Sequence, residues 1–384
     1  MQPATPTGWP EARETAWRAG FDARGEAAEL TFDEAAGSAL AAPLLAASDL
    51  PAFPTSAVDG WAVAGPGPWR TGASVLAGTV PEPLQPGEAV KIATGAQVPD
   101  GCDGIIRLEH ATVDGESVDG SPKREWRGTG EEAAAGEELL PAGTPITAPV
   151  IGLAAAAGRT ALTAHRRPVA RTVVFGDELL TSGVSREGRV RDSLGPMIPR
   201  MLAGGLEAIG PVADTLDDHV RALRTATADA EVTCTTGGTM VGPVDHLHPA
   251  LARIGASYVL NTVAVRPGFP MLLARTDEGR FIAGLPGNPQ SAVIAVATLV
   301  VPLLAGLRGL PPPETRAITL AEDVPGRGDC THLALVDRAG NRLAHHGSSM
   351  LRGLALAAGF AVIGPGSEGK AGETVPLVPV PGVS

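Results

Sequence analysis

Several loops in this chain combine glycine with groups able to hold a charged ligand. Thr235-Thr236-Gly237-Gly238-Thr239 follows a strand-like run, and Asp245 opens the helical segment after it. Glycine lets a backbone approach a ligand closely, and its exposed N–H groups bind anions. An ordinary tight turn accounts for the same residues without any ligand. Gly284-Leu285-Pro286-Gly287-Asn288-Pro289 joins a strand to a helix. Asn288 suits the cap and Pro289 the first turn, where no N–H is needed. That join is either purely structural or a phosphate cradle. Gly176-Asp177-Glu178-Leu179 places two carboxylates after a strand, where open α/β sheets collect ligands. The pair suits Mg2+ or a polar ring, and equally a solvated helix start. Asp59, within Ser56–Ala62, and Thr94-Gly95-Ala96 each read singly as turns. His246 and His248 lie two apart and would not share a helix face, and His345-His346 has no Cys or carboxylate beside it. Surface or capping roles suit these histidines better than a metal. No Ser/His/Asp catalytic set can be assembled with any specificity.

The elements that position these loops follow from pattern. Residues 169–175 form a β-branched apolar run, 217–227 and 245–254 read as helices, and 231–235 and 257–265 read as strands. Segments 271–275 and 280–283 form a hairpin across Asp277-Glu278-Gly279, and Asn288 caps a long apolar helix. Repeated β-α units joined by glycine loops predict a doubly wound α/β domain. Pro311-Pro312-Pro313 marks a linker, after which short strands return with one helix-like segment at 350–358. Residues 26–45 have helical composition, 51–138 read as small strands and turns, and 146–158 are Ala-rich and helical.

Composition narrows the classes. Lys+Arg number 30 against 42 Asp+Glu, a formal net charge of −12, and aromatics are 3% of the chain. That balance argues against a general nucleic-acid binder, which needs a basic surface or stacking platforms. Only Lys91, Lys123 and Lys370 are lysines, so Arg supplies nearly all the positive charge. Cys102, Cys234 and Cys330 are far apart with no C-x-x-C, which supports neither a disulfide framework nor a Cys-based zinc site. The longest apolar stretch, 292–307, contains Pro302 and is shorter than a membrane span requires, so it reads as a buried helix. No secretory signal is visible at the N-terminus, and a cytoplasmic protein without a membrane partner is expected.

No loop above is specific alone, but their order is. AVDGWAV (57–63), KIATGAQVPDGCDGIIRLEH (91–110), VFGDELL (174–180), GRVRDS (188–193), TTGGTMVGPVD (235–245), VAVRPGFP (263–270), GLPGNPQSAV (284–293) and HHGSSMLRGLALAAGF (345–360) succeed one another over nearly the whole chain. The series resembles the molybdopterin molybdotransferase family, whose eukaryotic relatives include the gephyrin E domain. The resemblance implies a multidomain α/β plus β fold: an elongated helical domain from residues 1–50 and 139–168, an inserted β domain at 51–138, a molybdopterin-binding α/β domain at 169–311, and a small C-terminal β domain at 312–384. It implies a homodimer, Mg2+, and molybdate and adenylylated molybdopterin as substrates, with release of AMP in molybdenum cofactor synthesis. Other synthesis proteins or receiving molybdoenzymes are implied as partners.

Carried over position by position, the resemblance assigns catalytic roles to Asp59, Asp177, Glu178 and Asp245, with Glu178 and Asp245 also as metal ligands. Thr94, Gly95, Gly176, Asp192, Ser193, Thr236, Gly237, Gly238, Pro286, Gly287 and Asn288 fall on the pterin and nucleotide side. Arg266, His332, Ser348 and Ser349 remain for molybdate. Here the chain departs from the family. The two usual lysines of the KPGKP-like motif are Arg266 and Phe269, a usual serine is Met240, and a usual arginine is His332, with Cys330 in place of Phe. Trp61 replaces a tyrosine and Leu194 an asparagine. Arg still binds oxyanions, but Phe269 and Met240 cannot donate to one. Two readings follow: a transferase with a rebuilt molybdate pocket, or a relative that binds or carries molybdopterin without inserting metal. A nucleotide-binding α/β enzyme without a molybdenum link is a third, weakened by the lack of a P-loop and of G-x-G-x-x-G.

Overall fold

The computed structural model describes residues 5–202, 205–239 and 245–382. The chain divides into two compact units: Met1–Ala28, Gly37–Ala41 and Ala164–Ser384 form the first, and Glu29–Ala36 with Ala42–Thr163 the second.

The first unit is built on a six-stranded sheet in the order Ile209–Val212, Ala170–Phe175, Val232–Thr236, Phe281–Leu285, Leu272–Arg275, Ser257–Asn261. The first four strands are parallel, and Leu272–Arg275 runs antiparallel to both of its neighbours. Side chains alternate between the two faces with the period of a strand. Ala170, Val232, Cys234, Phe281 and Ala283 join one core with the helix residues of 292–307. Val173, Phe175, Leu272, Ala274 and Ile282 join another, with helices Leu216–Asp229 and Leu247–Arg253. Both faces are therefore covered, as a doubly wound fold requires. The hairpin expected across 277–279 is present.

The long apolar helix is present as well. Pro289–Leu307 is long and apolar enough to span a membrane by composition, but 94% of that window is buried inside the protein, so it is a core helix. Its middle, Val296–Val300, opens into a π turn. The helix Trp9–Ala23 packs on its C-terminal part, with Trp9 Nε1 donating to Thr298 Oγ1 at 3.0 Å. The two backbones meet at Gly20 and Gly306. A Cβ on Gly306 would overlap the Trp17 carbonyl oxygen and stand 2.5 Å from the Phe21 nitrogen.

A second six-stranded sheet in this unit runs Thr7–Gly8, Val263–Arg266, Thr331–Val336, Gly359–Ile363, Thr374–Pro379, Arg316–Thr319. Val263–Arg266 leaves the α/β region to pair in parallel with Thr331–Val336, and the register sets Arg266 opposite His332. Leu320, Val324, Ala334, Val336, Ile363 and Val375 are among the residues that close its core.

The second unit carries a six-stranded sheet ordered Gly104–Arg107, Gly60–Val63, Glu88–Ile92, Trp69–Val75, Ser117–Asp119, Thr112–Asp114. Ala62, Ile92 and Ile105 fill one face, and Val63, Trp69 and Ile106 the other. The helix Ala148–Ala156 matches the Ala-rich pattern.

Three local expectations are overturned: the strand expected over 257–265 is two, Ser257–Asn261 and Val263–Arg266, in different sheets and broken at Thr262 with φ 67°. Residues 26–45 do not form a helix: Ala27–Thr31 is a strand, and only Phe32–Ala35 is helical. Thr31 and Glu34 make a capping box, and Gly37 at φ 78° ends the turn, so local signals outweigh Ala-rich composition. The helix-like segment at 350–358 is a single 3₁₀ turn, Leu354–Leu356.

Candidate functional site

The site is built where two strands of the α/β sheet end. Val232–Thr236 runs into Gly237 and Gly238, at φ 86° and 67°. Side chains other than glycine are strained there, so the backbone conformation itself selects the residue. Next to it, Phe281–Leu285 runs into Pro286-Gly287-Asn288. The Gly237 N–H donates to the Leu285 carbonyl at 2.9 Å, and a Cβ on Gly287 would lie 3.7 Å from the Gly237 Cα. The two loops thus run side by side. Asn288 caps the following helix by position, without a side-chain capping bond, and Pro289 follows it.

The opposite wall comes from the second sheet. His332 is buried at 7% exposure and lies beside Arg266 in register. Its Nδ1 stands 2.7 Å from the Pro325 carbonyl. A carbonyl only accepts, so Nδ1 carries the hydrogen. Burial, with Arg327, Arg342 and His346 nearby, holds this ring below the ordinary histidine range, against the bond to Pro325. The Arg266 guanidinium lies 4.7 Å from the centre of the Phe269 ring. Gln290, 1% exposed, fixes the remaining segment: its amide nitrogen, correctly oriented, donates to the carbonyls of His346 at 2.9 Å and Gly347 at 3.0 Å, while its backbone N–H donates to Ser348 at 2.9 Å. Between these walls is a cleft of about 1300 Å³, lined by Gly237, Gly238, Asp245, Arg266, Phe269, Pro286, Gly287, Asn288, Arg327, His332, Arg342 and Ser348 among others.

Other residues singled out in the sequence lie elsewhere. Thr236 is buried just before the glycine loop, and Ser349 is exposed outside the cleft lining. Asp177 and Glu178 are exposed after Gly176: the Asp177 N–H donates to Asp214 Oδ2 at 3.1 Å, and Arg189 holds the Asp177 carbonyl. Asp192 uses Oδ1 to accept from the N–H groups of Leu194 (2.9 Å) and Gly195 (3.0 Å), so it caps a helix. Ser193 beside it makes no side-chain capping bond. Asp192 also lines a separate depression of about 580 Å³ with Arg191 and Arg200. Asp59, Thr94 and Gly95 belong to the second unit. Asp59 Oδ1 accepts from the Thr94 N–H at 2.7 Å and hydroxyl at 2.9 Å, and these bonds, with Lys91 nearby, hold its carboxyl below the usual carboxylate range. Met240 lies outside the described residues. Among the described residues no group of three or more His, Cys, Asp or Glu gathers to hold a metal. The histidines doubtful as metal ligands have other partners: His248 Nδ1 meets the Tyr258 hydroxyl at 2.7 Å, and His246 sits edge-on to His219.

Sequence reading missed Arg327, Arg342 and Gln290. The first two come from the loops Pro325-Gly326-Arg327 and Gly340-Asn341-Arg342, and the pairing of Val263–Arg266 with Thr331–Val336, with the Gln290 bonds to 346–348, brings them to the cleft of the glycine loops.

A doubly wound domain whose glycine loops line a cleft together with arginines, in a chain that carries a separate β-rich unit, defines a multidomain α/β protein with a candidate ligand cleft. Residues 9–158 match the family described as MoeA N-terminal region (domain I and II), and 171–306 match the probable molybdopterin binding domain. The chain belongs to the molybdopterin molybdenumtransferase family. A protein of that name from Staphylococcus epidermidis is 30% identical, over 91% of this chain and 90% of its own length. Another from Bacillus subtilis is 29% identical, over 93% and 91%. The crystal structure of a molybdopterin biosynthesis MoeA protein from Pyrococcus horikoshii superposes with a TM-score of 0.75 over 98% of this chain and 99% of that one, at 22% identity.

Proposed function

We propose that this protein is a molybdopterin molybdenumtransferase, joining molybdate to adenylylated molybdopterin with release of AMP. The observation that carries the reading is the cleft, where the two glycine loops, Asp245 and three arginines are among the described residues that line a single cavity. Gly238 offers a backbone donor to a phosphate, the Gly237 N–H being held by the Leu285 carbonyl. Arg266, beside His332, offers a fork to an oxyanion. Asp59, Thr94, Gly95, Asp177, Glu178, Asp192 and Ser193 take their pterin and nucleotide roles from the family resemblance, and Ser348 and Ser349 theirs toward molybdate.

Mg2+ belongs to the same reading. It is commonly held by one or two carboxylates together with substrate phosphates. Asp245, in the cleft beside the glycine loop, fits that smaller requirement, whereas Glu178 is absent from the cleft lining. When bound, the ion would neutralise charge on the phosphates. A homodimer, a cytoplasmic setting, the four-domain division and exchange with receiving molybdoenzymes complete the proposal. Incubating the protein with adenylylated molybdopterin, Mg2+ and molybdate should release AMP and yield cofactor that activates an apo-molybdoenzyme. Absence of AMP at millimolar molybdate would sink the reading.

The second reading, a carrier without metal insertion, starts from Phe269, which brings an apolar ring to the cleft. Tight pterin binding with no response to molybdate would select it.

A further inference from the structure

Three guanidiniums, Arg266, Arg327 and Arg342, line one cleft in a chain of net charge −12. Among the described residues none of the three has an ion-pair partner. Asp245 is the one carboxylate among the described lining residues. Gathering like charges without counter-charges is unfavourable unless an anion completes the set. The buried titratable group among the described lining residues is His332, in register with Arg266.

We propose that anion capture in this cleft is proton-coupled: a tetrahedral oxyanion seats among Arg327, Arg342 and the His332 ring, and the ring takes up one proton as the anion binds. The inference rests on the reading of this cleft as the anion site of the transferase and adds how that site is regulated.

The tautomer dictates the coupling. Nδ1–H is committed to the Pro325 carbonyl at 2.7 Å. In the neutral ring Nε2 is then a bare lone pair, which repels an oxyanion and donates nothing. Only a proton taken from solvent turns Nε2 into a charged donor. The surroundings oppose that proton while the cleft holds no anion. Arg266 lies in register on the neighbouring strand, Arg327 comes from the 324–327 loop, and Arg342 and His346 come from the 342–348 segment. The strand on the other side offers only Ile363 opposite His332. Asp245 and His345 complete the titratable groups of the described lining. A dianion reverses the sign of this field, so the ring titrates low without the anion and high with it. Between those two values, linkage makes affinity fall about tenfold for each unit that pH rises.

Calorimetry on the full chain tests this, with molybdate as the probe, in buffers of different protonation enthalpy near pH 7.5. Net proton uptake is expected, with affinity falling as pH rises by up to about tenfold per unit. His332→Arg should bind the anion with no proton uptake and a flat pH profile. His332→Gln should bind weakly at every pH. His346→Gln should keep the uptake. Binding without uptake, uptake retained in His332→Arg, uptake lost in His346→Gln, or no anion binding at all overturns the proposal. AMP as a second probe separates a phosphate source from a metal oxyanion: competition with molybdate places the phosphate in the same seat, and additive binding assigns the seat to molybdate. Anion binding without proton uptake alongside normal AMP release in the transferase assay would remove this inference alone. Proton uptake without AMP release would remove the transferase reading alone.

Discussion

Replacing Phe269 with lysine should weaken the empty protein and strengthen the anion-bound one. In the native chain the Arg266 guanidinium lies 4.7 Å from the Phe269 ring centre, an exposed cation–π contact worth about 0.5–1 kcal/mol. Lysine removes that contact and places a second positive charge at a comparable distance. Coulomb's law gives a repulsion of about 1 kcal/mol in a water-like dielectric and about 3.5 kcal/mol at an effective constant near 20. Arg266 is exposed, so the lower value applies and salt reduces it further. The unliganded variant should therefore lose roughly 1–2 kcal/mol. With a dianion between the two cations the repulsion is offset, and the new ammonium adds a charged hydrogen bond worth about 1.5–3 kcal/mol. Molybdate affinity should rise roughly tenfold to a hundredfold. Thermal unfolding with and without molybdate measures both halves, and calorimetry gives the affinity. An unfolding temperature unchanged without ligand, together with a molybdate affinity within threefold of the native one, would refute the reasoning.

Two further outcomes follow from packing and from titration. Gly306→Ala should destabilise the first unit although alanine is the better helix former by about 1 kcal/mol. The added methyl would overlap the Trp17 carbonyl oxygen and crowd the Phe21 nitrogen, and overpacking of this kind costs about 1–3 kcal/mol or more. A urea midpoint equal to or above the native value contradicts the close helix crossing. Thr94→Val removes the hydroxyl bond to Asp59 and keeps the backbone one, so the Asp59 carboxyl should titrate closer to the usual carboxylate range by NMR. Because the folded value is depressed, the contact stabilises above the unfolded carboxylate range and its contribution fades as pH falls through the folded value. An unshifted Asp59 titration in Thr94→Val assigns the depression elsewhere.

Much of the fold was legible because its signals are local. The strand before Gly237, the hairpin across 277–279 and the buried helix behind Asn288 each announce themselves by period and punctuation. The segment at 26–45 misled because alanine-rich composition says nothing of a strand partner, while the Thr31–Glu34 capping box confines the helix to one turn. In the site, one wall was readable from its glycines and the other was not. Arg327 and Arg342 carry no motif, and Gln290 reads as an ordinary helix residue until the carbonyls of His346 and Gly347 are seen to depend on it. Their importance is set by a strand register between residues far apart in sequence, which no window along the chain contains.

That register also sets a schedule. Thr7–Gly8 pairs with Val263–Ala264, and Val265–Arg266 pairs with Thr331–His332, so the sheet behind the cleft joins the start of the chain to its last quarter. On a ribosome adding roughly 5–20 residues per second, the N-terminal strand waits about 13–50 s for its partner. Parallel pairings at such separation are also slow to close by diffusion. The α/β sheet can therefore form around its glycine loops while the cationic wall is still being synthesised. A nascent chain would carry its glycine loops before the later arginines of the cleft, and the pairing of Arg266 with His332 waits for the strand Thr331–Val336 to be made.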